Sequence, residues 1–143
     1  MKTLKQILKE KQHQDVISIA PDKTVFEALG LMADKGIGAL AVMENNTLVG
    51  IFSERDYARE VALKNKASKT TTVSAVMTSK LIYGQASDFV ASAMNTMTNK
   101  RVRHLPVMED DEMIGMLSIG DLVKATIEYQ EELIQQLESY IRS

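Results

Sequence analysis

GIFSERDYAR, Gly50 to Arg59, closes an apolar run and opens a stretch of helical character; 65 residues later GMLSIGDLVK, Gly115 to Lys124, does the same. Both carry Gly-x-x-Ser-x-x-Asp, with Ser53 and Asp56 in the first and Ser118 and Asp121 in the second. Sliding the chain by those 65 positions aligns Ile17–Tyr57 with Ile82–Leu122 without a gap. Identities fall at Val25, Ala28, Met32, Leu40, Val42, Gly50, Ser53 and Asp56, among others, each with its counterpart. The chain is a duplicated unit.

Outward from the corner, each copy reads alike. A short strand (VISIA, residues 16–20, then LIYG, residues 81–84) precedes a helix with one apolar stripe. The stripe is Val25, Ala28, Leu29 and Met32 in the first copy and Val90, Ala93, Met94 and Met97 in the second. A hairpin follows, turning on Asn45-Asn46 or Asp110-Asp111, and a second helix starts after Ser53 or Ser118. The predicted fold class is α/β (α+β): two β-α-β-β-α repeats packed about a pseudo-two-fold axis, because a three-stranded sheet alone leaves apolar surface uncovered. That packing creates two related clefts. The expected divisions are an N-terminal helical segment at 1–15, repeats at 16–64 and 76–127, a linker at 65–75, and a helical extension at 128–143.

Composition narrows the function classes. With 143 residues, 25% of them charged, and a net charge of −2, the chain has no basic, aromatic-interleaved surface for nucleic acid. No apolar run approaches a membrane span, and the reading is a soluble, cytoplasmic protein. Cysteine is absent, which removes disulfides, thiolate metal sites and a cysteine nucleophile. No H-E-x-x-H, P-loop or G-x-S-x-G pattern occurs, so neither a catalytic nor a metal site is expected. GIGALA, residues 36–41, matches a dinucleotide fingerprint in letters only, since it follows a helix and opens a strand, the reverse of what that fingerprint needs.

The corner supports two readings. Ser followed three residues on by an acid is a capping box, which satisfies free N–H groups at a helix start. The same helix start favours an anion, and a carboxylate there accepts both hydroxyls of a ribose diol. KRVRHLPV adds Arg101, Arg103 and His104 between a helix end and a strand, either as solvated helix-end cations or as a phosphate clamp. Alternation along that strand sets Arg101 and Arg103 on one face and Val102 and His104 on the other. The first copy has Gly36, Gly38 and Ala39 there, and its nearest substitute cation is Arg55. Tyr83, opposite Ser18, suits base stacking or edge packing.

These motifs together resemble tandem cystathionine β-synthase (CBS) domains, the Bateman module, in its stand-alone bacterial form. VMTSK, RVRHLPV, LVGIFSERDYAR and MIGMLSIGDLV carry the likeness across nearly the whole chain. The resemblance implies a non-enzymatic regulatory module that binds adenosine-containing ligands in the inter-repeat clefts: AMP first, with ATP, ADP, NAD or S-adenosylmethionine as alternatives. It implies ribose contacts from Asp56, Asp121, Ser53 and Ser118, and phosphate contacts from Arg101, Arg103, His104 and Arg55. Adenine would lie among Ile17, Ile19, Ile37, Ala39, Tyr83 and Val102. It further implies a homodimer. The competing expectation is a scaffold with empty clefts that acts through dimerisation or a protein partner.

The tail has no counterpart in the first copy. Ile127, Ile134 and Ile141 recur every seven residues with Leu137 between them, which suits a helix lying on its own domain or packing across a dimer or onto a partner.

Overall fold

A computed structural model describes residues 1–11 and 16–143. The end of the expected N-terminal segment, with His13, lies outside the described residues. The chain forms two compact units: Val16–Ile82, and residues 1–11 together with Tyr83–Ser143.

The first unit runs β1 (Ser18–Ile19), α2 (Val25–Lys35), β2 (Ala39–Glu44), β3 (Thr47–Ser53), α3 (Glu54–Asp56, continued as a π-helical turn at Tyr57–Ala62) and α4 (Val73–Val76). Its sheet has the order β1-β2-β3, with β1 parallel and β3 antiparallel to β2. The other unit holds α1 (Leu4–Glu10), β4 (Gly84–Gln85), α5 (Val90–Lys100), β5 (His104–Glu109), β6 (Glu112–Ser118) and α6 (Ile119–Arg142), with the matching sheet β4-β5-β6. The mixed α/β class with two three-stranded sheets is as the repeat predicts, and the long last helix is as the tail's apolar spacing predicts. The first strands depart from that reading: VISIA is trimmed to Ser18–Ile19, and the second copy's strand lies at Gly84–Gln85, overlapping LIYG only at Gly84.

Local chemistry accounts for the elements. Val25, Ala28 and Met32 of α2 are buried, as are Val90, Ala93 and Met97 of α5. Both hairpins turn on two residues in the left-handed region, Asn45 and Asn46 (φ 51° and 63°) and Asp110 and Asp111 (φ 53° and 64°). That geometry matches the twist of the strands, and Asn and Asp tolerate it best after Gly. The same register shift interrupts both hairpins, at Val42/Met43 and Val107/Met108. The first unit's core gathers Ile19, Val25, Met32, Leu40, Val42, Phe52, Val61 and Val73.

The short helices exchange places. Helix α4, which precedes the second repeat in the chain, completes the first unit, while α1, which precedes the first repeat, completes the other. Thr72 bridges to Thr24 and Thr3 to Phe89, 65 residues beyond Thr24. Ile51 and Thr78 exchange backbone hydrogen bonds of 2.9 and 2.8 Å. The N–H groups of Val25 and Phe26, free at the start of α2, donate to the carbonyls of Thr71 and Ser68 at 2.8 and 2.9 Å, so the polar segment between the repeats caps that helix.

Candidate functional site

At the first corner, Ser53 ends β3 in extended conformation and caps α3. Its Oγ accepts from Asp56 N–H (3.2 Å), while Asp56 Oδ2 accepts from the N–H and hydroxyl of Ser53 at 2.9 and 3.0 Å. The capping box is therefore complete. The other carboxylate oxygen, Oδ1, accepts from the Thr78 hydroxyl at 2.9 Å. Glu54 N–H donates to the Gly38 carbonyl at 3.0 Å and ties the corner to the start of β2.

The second corner repeats the box with a different third partner. Ser118 N–H donates to Asp121 Oδ2 at 2.8 Å, and Asp121 N–H to Ser118 Oγ at 3.2 Å. Lys11 Nζ lies 3.0 Å from the same Oδ2 and also donates to the Met116 carbonyl at 3.0 Å. The Lys11 and Asp121 side chains are only 29% and 25% exposed. Partial burial works against the charged form of Asp121, but the Ser118 N–H, the Lys11 ammonium and the Ser118 hydroxyl outweigh it and hold the carboxyl below the ordinary range. Asp121 opens onto a cleft of about 400 Å³ lined by Ile7, Glu10, Lys11, Lys124, Ala125 and Glu128.

The cation loop lies against this second corner. His104 opens β5 opposite Ser118, and Ile119 N–H donates to the Arg103 carbonyl at 2.9 Å. Arg101 is not a strand residue, contrary to the alternation read from the sequence. It is the C-cap of α5, in left-handed conformation (φ 55°, ψ 40°), where Gly36 (φ 64°) ends α2. Helices often stop this way, and the residue that does so is usually glycine. Arg101 and Arg103 are nonetheless exposed, with Val102 and His104 half-buried. Arg55 is exposed in the first turn after Ser53.

The candidate adenine residues are dispersed by burial. Ile19 belongs to the first unit's core and Ala39, opposite Ser53, is buried at 6%. Ile17 and Ile37 pack on that core from its edge. Tyr83 is 46% exposed and stands just before β4. Sequence reasoning missed Thr78 and Lys11, the third partners of the two carboxylates. Nothing in the sequence marks Lys11 or Thr78; it carries a signal only for the helices beside them, where TLKQIL (residues 3–8) and TVSAVM (residues 72–77) share a Thr-apolar-x-x-apolar-apolar pattern. A shift of 65 does not align the two, because four more residues separate the first from its repeat.

Among the described residues no group of three or more His, Cys, Asp or Glu side chains could hold a metal ion, and no helix is long and apolar enough to cross a membrane. Comparison with known proteins adds the lineage. A family model for the CBS domain matches residues 5–63 and 73–128. The mitochondrial CBS domain-containing protein CBSX3 of Arabidopsis thaliana is 42% identical over 126 residues, covering 85% of this chain, which spans 61% of that relative's length. The crystal structure of the CBS domain NE2398 superposes with a TM-score of 0.83 at 45% identity, covering 88% of this chain and 98% of that one. The CBS domain pair of MJ0100, solved in complex with 5′-methylthioadenosine and S-adenosyl-L-methionine, shares the fold at 21% identity, with a TM-score of 0.78 over 90% of this chain and 98% of its own. The chain belongs to the CBS domain family, as a tandem pair of those domains.

Proposed function

We propose that the protein is a regulatory module, without catalysis of its own, that binds an adenosine-containing ligand at its Ser-x-x-Asp corners. One observation carries the reading: both repeats hold a partly buried carboxylate in the first turn of a helix, oriented by the preceding Ser (Asp56 and Asp121). Such a carboxylate accepts a vicinal diol, and the helix start beside it favours an anion. Ser53 and Ser118 support the ribose. Arg103 and His104, beside the second corner, Arg101 at the end of α5, and Arg55 in the first turn after Ser53 supply charge for phosphate. AMP is the first candidate, followed by ADP, ATP, NAD and S-adenosylmethionine. The adenosine ligands bound by the MJ0100 pair support that class. A cytoplasmic homodimer, with ligand biasing one of two arrangements of the protein, completes the reading, since ligand shifts an equilibrium only through unequal affinities.

The test is calorimetric titration of AMP, NAD and NADP into native protein and into Asp56→Glu and Asp121→Glu. Glu is the usual acid of a capping box, so these variants keep the helix start while moving the carboxylate. Loss of AMP and NAD binding with the native circular-dichroism spectrum and a cooperative melt retained is the expected result, and NADP binds worse than NAD because its 2′-phosphate meets a carboxylate. Unchanged binding in both variants sinks the ribose role. The complete capping boxes favour a second reading, a scaffold acting through dimerisation or a protein partner, and absence of binding by the native protein would select it.

A further inference from the structure

Helix α6 continues well past the unit that anchors it. Leu122 and Ala125 are buried, and Thr126 and Tyr129 are half-buried, but every residue from Gln130 onward is exposed. The exposed part is not polar. Ile134 is 54%, Leu137 61% and Ile141 80% exposed, and they continue a line that begins with Val123 (41%) and Ile127 (50%). A helical extension of this length is marginal in water unless its apolar face is packed.

From Val123 the line steps through Ile127, Gln130, Ile134, Leu137 and Ile141 at alternating spacings of four and three, the seam of a two-stranded coiled coil. Ile127, Ile134 and Ile141 take one seam position; Val123, Gln130 and Leu137 take the other. We propose that α6 pairs with α6 of a second copy of this chain, antiparallel, across this seam. This deepens the homodimer part of the proposed function and is independent of the nucleotide.

The residues flanking the seam decide the direction. Lys124, Glu131 and Glu138 lie along one flank; Thr126, Leu133 and Tyr140 along the other. Parallel strands bring one flank against the other, setting Leu133 beside the partner's Glu138 and leaving the carboxylates without a cation. Antiparallel strands bring like flanks together. Val123 then packs on the partner's Ile141, Ile127 on the partner's Leu137, and Gln130 on the partner's Ile134. Lys124 meets the partner's Glu138 twice over. Leu133, 39% exposed, meets its own counterpart at the two-fold axis. The partner's Tyr140 and Ile141 reach the shallow apolar groove formed by Ile119, Gly120, Val123 and Ile127. One surface is thereby complementary to itself, as a two-fold dimer requires, over about 27 Å of helix at 1.5 Å per residue. The unfavourable approaches are Glu131 to Glu131 and the amide of Gln130 against the partner's Ile134.

The chain contains no cysteine, so single-cysteine variants report directly. Val123→Cys and Ile141→Cys replace exposed side chains. Oxidised separately they remain monomeric on a denaturing gel, and oxidised as a mixture they form a disulfide-linked heterodimer. Sedimentation equilibrium gives a dimer for the native chain, at least tenfold weaker for Leu137→Glu and tighter for Glu131→Gln. Self-linked single variants establish a parallel pair and overturn the proposal. A dimeric mass with no cross-link, or one that Leu137→Glu leaves unchanged, moves the interface elsewhere and overturns it while sparing the homodimer reading. A monomeric native chain sinks both, whatever the nucleotide titrations show.

Discussion

Leu8 and Met77 occupy matching places in the two units: Leu8 covers Gly115 on β6, and Met77 covers Gly50 on β3. A side chain at either glycine would collide with its cover. At Gly115 a Cβ would stand 2.6 and 2.9 Å from the two Leu8 methyls; at Gly50 one would also stand 3.1 Å from the Thr78 carbonyl. Leu8 ends in methyls that can rotate aside, whereas a backbone carbonyl bonded to Ile51 cannot.

Gly50→Ala is therefore expected to cost about 1–3 kcal/mol, in the range of overpacked cores. Gly115→Ala costs less, and Leu8→Ala in the same chain cancels part of that cost. Urea denaturation of the single and double variants reads the coupling. Equal, additive costs at the two glycines would remove the argument.

Arg101 ends α5 in a conformation that glycine adopts freely. Arg101→Gly should raise stability by about 1 kcal/mol. The same change should weaken a phosphorylated ligand while leaving adenosine unaffected. A non-glycine residue kept in a costly conformation is a pointer to function. Paired denaturation and titration of the variant check both halves, and a variant that is more stable and binds AMP normally leaves Arg101 without a phosphate role.

The Lys11–Asp121 pair makes stability depend on pH in a defined direction. The folded carboxyl sits below its ordinary value of 3.8, so its contribution is complete above the usual carboxylate range and disappears as pH falls through it. Lys11→Met should cost about 0.5–1 kcal/mol at pH 7. The gap between variant and native protein should narrow from about pH 4 downward. The bond from Lys11 to the Met116 carbonyl does not titrate and sets the remainder. Denaturation midpoints at pH 7, 5 and 3 measure the trend, and a gap constant across that range contradicts it.

The hairpin turns leave stability unused. Asp111 and Asn46 both hold φ above 60° at the second turn position, where glycine is favoured. Asp111→Gly and Asn46→Gly are each expected to stabilise by a few tenths to about 1 kcal/mol, with no effect on dimer mass. Thermal melts monitored by circular dichroism test this.

Much of this architecture was legible because duplication prints every pattern twice. The stripes at Val25 and Val90, the Asn-Asn and Asp-Asp turns and the two Ser caps each carry a local physical cause that survives in sequence. Strand lengths were not legible: VISIA reads as five residues of strand, but only Ser18 and Ile19 find a partner strand. Arg101 was misread for a related reason. A left-handed helix stop is announced by glycine, and an arginine there carries no signal. The roles of Lys11 and Thr78 depend on contacts across 110 and 22 positions, which no periodicity records.

The exchange of α1 and α4 sets an order of assembly. Val16–Ile82 is one continuous length of chain that contains its own cover, α4. The other sheet is covered by a segment synthesised before either sheet exists. During translation the first unit has all its parts while α1 still has nowhere to dock. The segment carrying α1 is made before both sheets and can dock only after a loop of about 70 residues has closed, at an entropic cost that grows only slowly with loop length. An amphipathic helix that waits is also one that a neighbouring nascent chain can borrow, so that segment is where misassembly between copies would begin.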